Sequence, residues 1–66
     1  MKNLLKVERA KKDITQAGLA QEIGVSRQTI NAIEKGKFVP STVLALKMAR
    51  FFECKVEDIF SLEEKD

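Results

Sequence analysis

The stretch VSRQTINAIEKGK, Val25–Lys37, decides how this chain is read. Ser26 is a good helix N-cap, and Val25 before it stands at hydrophobic-staple spacing from Ile30. At about 100° per residue, Thr29, Ile30 and Ile33 gather on one side of the helix that follows. Arg27, Gln28, Asn31 and Lys35 gather opposite, and Gly36 ends the run. One side suits a protein core. The other carries amides and cations, which suits either plain solvent or an anionic partner, and the flanking sequence has to separate the two.

Upstream lies TQAGLAQEIG, Thr15–Gly24. Thr15 caps a second helix from Gln16 to about Ile23, with Ile14 and Leu19 at staple spacing. Leu19, Ala20 and Ile23 form its inward stripe. Gly18 sits inside it and is expected to cost roughly 1 kcal/mol relative to Ala. Between the two helices only GVS remains, and short helices joined so tightly cross at roughly 90–120°. Such a crossing needs a small residue where the backbones meet, which Ala20 supplies. It also needs a turn residue tolerant of positive φ, which Gly24 supplies. Leu19, Ile23, Val25, Ile30 and Ile33 then fill the wedge. A random amphipathic pair matches some of these positions but rarely all of them.

Three further helices are expected. One runs from about Asn3 to Lys12, with Leu4, Leu5 and Val7 as its apolar positions and Lys11 and Lys12 favourably placed at its C-terminal end. Pro40 forbids a helix through the KFVPS loop, and Ser41 caps the next, from Thr42 to about Glu53. That helix is apolar nearly all round, so it is either central in a small bundle or has one side set against a second chain. A short helix near Val56–Phe60 follows. The FSLEE segment after it is read as either a frayed tail or a short edge strand.

Sixty-six residues make one domain, 44% hydrophobic and 33% charged, which argues against disorder. With Cys54 as the only cysteine, no internal disulfide is possible, and a reducing cytoplasm is the expected setting. No secretory leader pattern is found and no apolar run is long enough to span a bilayer, so no membrane role is expected. The net charge of +2 hides an asymmetry: residues 1–50 carry ten Lys/Arg against four Asp/Glu, and residues 51–66 two against six. A basic body with an acidic end is either chance clustering on a wet surface or a side turned towards an anionic partner.

An enzyme is not expected. The chain has no His, Tyr or Trp. No phosphate cradle or metal-ligand spacing occurs, and Cys54 lacks the basic partner a thiolate nucleophile uses. No cofactor is expected. A module that binds only other proteins would carry aromatic or Met anchors on the helix after Ser26, and that helix offers Arg, Gln, Asn and Lys instead.

TQAGLAQEIGVSRQTINAIEKGKFVPS resembles the DNA-binding unit of the lambda-repressor-like, Cro/XRE family of bacterial and phage regulators, and the likeness runs from Leu5 to Phe60. The resemblance implies an all-α, five-helix domain over residues 1–66, with a central helix-turn-helix at about 16–36 and, as in some small relatives, a short pair of terminal β-strands that would fall in Met1–Leu4 and Phe60–Glu63. It implies a sequence-specific transcriptional regulator, a repressor by analogy, that binds a palindromic operator as a homodimer with its third helix in the major groove. By position, Arg27, Gln28 and Asn31 would read bases, with a phosphate as the alternative contact for Asn31; Ala32 would offer a methyl to thymine or serve simply as a helix former. Gln16, Ser26, Thr29, Lys35 and Lys37 would hold phosphates, with backbone amides near Gly36 and Phe38 adding to the clamp, and Gln16 would also buttress a neighbour on the third helix. Arg9 and Glu34 match an internal ion pair, phosphate binding by Arg9 being the alternative. Gly18 departs from the family pattern, which usually has a larger polar residue there. With no separate oligomerisation domain in view, the fourth and fifth helices or the FSLEE tail would supply the dimer contacts.

Overall fold

Three hydroxyl side chains set where the central helices begin. In the computed structural model, which describes all 66 residues, Thr15 accepts a hydrogen bond from Gly18 N, Ser26 from Thr29 N and Ser41 from Leu44 N. Each satisfies one of the amide donors that a helix start leaves without a partner. The order along the chain is β1 (Lys2–Asn3), α1 (Leu5–Lys12), α2 (Gln16–Ile23), α3 (Arg27–Glu34), α4 (Thr42–Phe51), α5 (Val56–Ile59) and β2 (Phe60–Ser61). The two strands pair antiparallel, Lys2 opposite Ser61 and Asn3 opposite Phe60. The sheet therefore ties together the two ends of one chain.

Every helix contributes to a single core. Leu5, Leu19, Ile30, Ile33, Met48 and Ile59 are fully buried, and Ala20, Ile23, Ala49, Phe52 and Phe60 nearly so, with no polar residue among them. Burying such aliphatic side chains stabilises by about 1.5–3 kcal/mol each. The wedge expected between α2 and α3 is present, with Val25 packed half-buried against it. Gly24 stands at φ +80°, and its N–H and that of Val25 both donate to Ala20 O, which ends α2 and turns the chain. A side chain at that φ would be strained, so glycine fits the turn.

Several boundaries differ from those the sequence suggests. The first helix starts at Leu5, not Asn3, because Asn3 is already spent elsewhere. Its backbone pairs with Phe60, its Oδ1 accepts from Leu5 N at 3.2 Å, and its Nδ2 donates to Ile33 O at 2.8 Å. Leu4 and Val7 are not core residues: they are 54% and 47% exposed, and only Leu5 of α1 is buried. The fourth helix stops at Phe51 instead of Glu53, since Glu53 takes φ +55° and Cys54 N turns back to Ala49 O. The fifth stops at Ile59, and Phe60 passes directly into β2. FSLEE is a strand only in its first two residues, beyond which Leu62 is exposed. The fourth helix is not central: Met48 and Ala49 are buried, while Val43 and Leu46 are 63% and 57% exposed.

Gly18 has a packing explanation that propensity alone does not supply. A Cβ there would lie 2.9 Å from Ile14 Cγ1 and 3.3 Å from Thr15 Oγ1. The staple residue and the cap occupy the space an alanine methyl would need, so the helix propensity forgone is offset by Ile14 packing close over the first turn.

Candidate nucleic-acid interface

The corner between α2 and α3 is held by a chain of polar contacts that starts on α1. Arg9 Nε lies 2.6 Å from Glu34 Oε2, and Arg9 Nη2 lies 3.1 Å from Glu34 Oε1. Arg9 Nη1 also donates to Ile14 O at 3.0 Å, which pins the link between α1 and α2. The two-pronged geometry matches a planar guanidinium to a carboxylate. On α2, Gln16 Nε2 donates to Glu34 Oε1 at 3.1 Å and to Asn31 Oδ1 at 3.3 Å. Both amide hydrogens of Gln16 thus point into the corner.

Burial pushes the Glu34 carboxyl up, but the hydrogen bonds from Arg9 and Gln16 and the charges of Arg9 and Lys6 outweigh it, and its pKa lies below the ordinary 4.5. The hydrogen bond to Glu34 raises Arg9 above its ordinary value against the opposing pull of burial. Both groups are charged at neutral pH. Glu34 is the sole acidic residue in Val25–Lys37. Because Arg9 neutralises it from inside, the outward side of α3 carries no free negative charge.

What remains on that side is exposed. Arg27 and Gln28, in the first turn of α3, have no protein partner, and Lys35 and Lys37 extend from the other end without an ion pair. Ser26 Oγ and Thr29 Oγ1 lie 2.9 Å apart near the helix start, so the two hydroxyls share one hydrogen bond. Asn31 is half-buried because it leans on Gln16. At the far end, Gly36 N donates to Ile33 O and Lys37 N to Ala32 O, closing α3 with Gly36 at φ +74°. Of the backbone amides expected to clamp phosphate, Gly36 N is thus already used, while Phe38 N makes no hydrogen bond in the protein.

Sequence reasoning missed Asn3, whose side chain ties the N-terminal segment to the last turn of α3. The available signal was that asparagine is a capping residue and a poor helix former, which places it before a helix and not in it. Elsewhere, the Met1 ammonium lies 2.8 Å from Glu63 Oε1 and 3.0 Å from Asp66 Oδ2, so part of the acidic C-terminal charge is met within the chain. Burial raises the Cys54 thiol, with Glu8 and Asp58 adding to the effect, and the thiol stays protonated at neutral pH. No helix is long and apolar enough to cross a membrane.

This geometry has close parallels. A helix-turn-helix family model matches residues 5–59. An HTH-type transcriptional regulator of the archaeon Methanocaldococcus jannaschii is 58% identical over 66 residues, covering 100% of both chains. One from the bacterium Bacillus subtilis is 50% identical, again over 100% of both. Among solved structures, the SOS-response transcriptional repressor LexA from Eubacterium rectale superimposes with a TM-score of 0.80 at 31% identity. That match covers 94% of this chain and 66% of the LexA chain, just short of two thirds of its length.

Proposed function

Since this chain belongs to the Cro/XRE-like helix-turn-helix family of DNA-binding transcriptional regulators, which is not a class of enzymes, we propose that it is a repressor binding a palindromic operator as a homodimer. In this reading α3 enters the major groove. Arg27 pairs with guanine O6 and N7, and Gln28 with adenine N6 and N7. Asn31 contacts a further base or a phosphate. Ser26, Thr29, Lys35, Lys37 and Phe38 N hold the phosphate backbone on either side. Gln16, whose amide hydrogens point inward, serves mainly to buttress Asn31.

The observation that carries this reading is the electrostatic character of α3. Its one acid, the half-buried Glu34, is neutralised by Arg9, its exposed side chains are Arg27 and Gln28, and the exposed Lys35 and Lys37 follow at its end. A surface with cations at both ends and base-reading groups between them fits a duplex better than it fits water alone.

Size favours two copies. An eight-residue helix is about 12 Å long and can read only a few base pairs. The domain is 31 Å in its longest dimension, while successive half-sites on one face of DNA lie ~34 Å apart. One copy therefore reads one half-site. The exposed apolar residues Val39, Val43 and Leu46 give a second copy something to cover. Bound at a promoter, such a dimer represses by excluding polymerase. The cytoplasm, where the operator lies, also suits a chain with one unpaired cysteine.

Selection of binding sites from random duplex DNA tests the whole reading. The expected outcome is an enriched motif with two-fold symmetry and half-sites one helical turn apart. An enriched motif without symmetry would remove the homodimer, and no motif at all would remove sequence-specific binding.

A further inference from the structure

We propose that Glu34, acting through Gln16, fixes the hydrogen-bonding polarity of Asn31, so that Asn31 offers only amide N–H donors to DNA and seeks an acceptor there. The inference rests on the DNA-binding reading above and makes Glu34 and Gln16 positioning residues for it.

The argument follows the donors and acceptors. An ionised carboxylate can only accept. The Gln16 atom 3.1 Å from Glu34 Oε1 must therefore be the amide nitrogen. That same nitrogen lies 3.3 Å from the side-chain amide of Asn31, so the atom Asn31 turns towards it must be the oxygen. With Oδ1 turned into the α2–α3 corner, Nδ2 is left outward. No buried side-chain nitrogen or oxygen lacks a partner, so Nδ2, which has none in the protein, is open to solvent. Reversing the Asn31 amide would set one NH2 group against another in a half-buried corner. Reversing Gln16 would set its oxygen against the Glu34 carboxylate. The polarity is thus dictated from Glu34 outward, and Arg9 keeps Glu34 ionised.

The consequence is a specificity rule. Two-point pairing with adenine needs the asparagine oxygen at the base edge to accept from N6. Here that oxygen faces Gln16. Asn31 is left to donate to purine N7, guanine O6 or thymine O4, or to a phosphate oxygen.

Two measurements on the full chain test this. In the free 15N-labelled protein, the side-chain NH2 protons of Gln16 should exchange slowly and those of Asn31 at solvent rates; Glu34→Gln should release the Gln16 protons. Protected Asn31 with unprotected Gln16 overturns the proposal while leaving DNA binding untouched. The second measurement repeats the site selection with Asn31→Ala and Asn31→Asp, both of which leave the Arg9–Glu34 pair in place. If the acceptor is a base, Asn31→Ala levels the preference at one base pair, and Asn31→Asp shifts it towards cytosine or adenine, whose exocyclic amino groups donate. Replacing the purine N7 there by carbon should weaken wild-type binding roughly three- to tenfold, the range of one hydrogen bond. If the acceptor is a phosphate, Asn31→Ala weakens all sequences by a similar factor and leaves the motif unchanged. A wild-type preference for adenine that is lost on removing its N6 amino group overturns the proposal. So does an Asn31→Ala variant that binds every site as wild type does. Absence of any motif would overturn it together with the DNA reading.

Discussion

The α2–α3 corner and the outer side of α4 are built on opposite principles. In the corner, Arg9, Glu34, Gln16 and Asn31 from three helices hold one another at hydrogen-bond distance, and the groups left over are aimed outward. On α4, Ser41 caps the helix and Met48 and Ala49 anchor it, but Val43 and Leu46 face solvent beside Val39 with nothing over them. The corner is complete within one chain. The α4 side leaves apolar area uncovered, which the proposed second copy would cover. In the proposed reading the tasks are separate, with polar geometry fixing the surface that meets DNA and spare hydrophobic area joining copies.

The sharpest way to break that comparison is at Arg9. Arg9→Met leaves the largely buried Glu34 carboxylate without its partner and should cost ~3 kcal/mol in urea unfolding. That is a large share of what a 66-residue domain has to spare. A loss below ~1 kcal/mol would mean the pair is no more than a surface contact.

The pH dependence probes the same bond. Glu34 has a folded pKa below its ordinary 4.5, so its contribution is fully present above that value and is lost as pH falls through 4.5 towards the folded pKa. Stability measured from pH 7 down to pH 3 should therefore narrow the gap between wild type and Glu34→Gln. A constant gap would contradict the lowered pKa.

Outward from the corner, Arg27→Ala should cost ~1–3 kcal/mol on the selected site and relax preference at one base pair. An unchanged preference would exclude Arg27 as a reader. Lys37→Ala should weaken all sequences alike and reduce the salt slope by about one; an effect confined to one sequence would assign it to a base.

The smallest effect on stability is expected on α4. Leu46→Asp lies on an exposed position and should change unfolding free energy by no more than ~0.5 kcal/mol. Sedimentation at micromolar concentration should nevertheless show monomer where wild type shows dimer. A variant that still dimerises would move the interface off this side of α4.

The helix-turn-helix was legible because its determinants are local. Thr15 and Ser26 cap the helices three residues ahead of the amides they satisfy, and Gly24 turns the chain where the apolar stripe of α2 ends. Leu19, Ile23, Ile30 and Ile33 repeat at helical spacing and are all buried. Leu4 and Val7 misled for the converse reason. Their hydrophobicity fits a helix stripe, but one helical turn of core is already filled by Leu5, and which apolar residue wins depends on what packs opposite.

By itself, then, the sequence determined the helices, their caps and the turn between α2 and α3, since these depend on side chains reaching backbone a few residues away. It also set out the charged and amide groups of α3. Only the tertiary structure decided how those groups are shared. Arg9 and Glu34 are 25 residues apart, Gln16 and Asn31 fifteen, and Asn3 and Ile33 thirty. No local rule says which donor meets which acceptor across such gaps. The packing of α1 against the α2–α3 corner decides it, because a half-buried polar group must find a partner among whatever the fold brings within 3 Å or so.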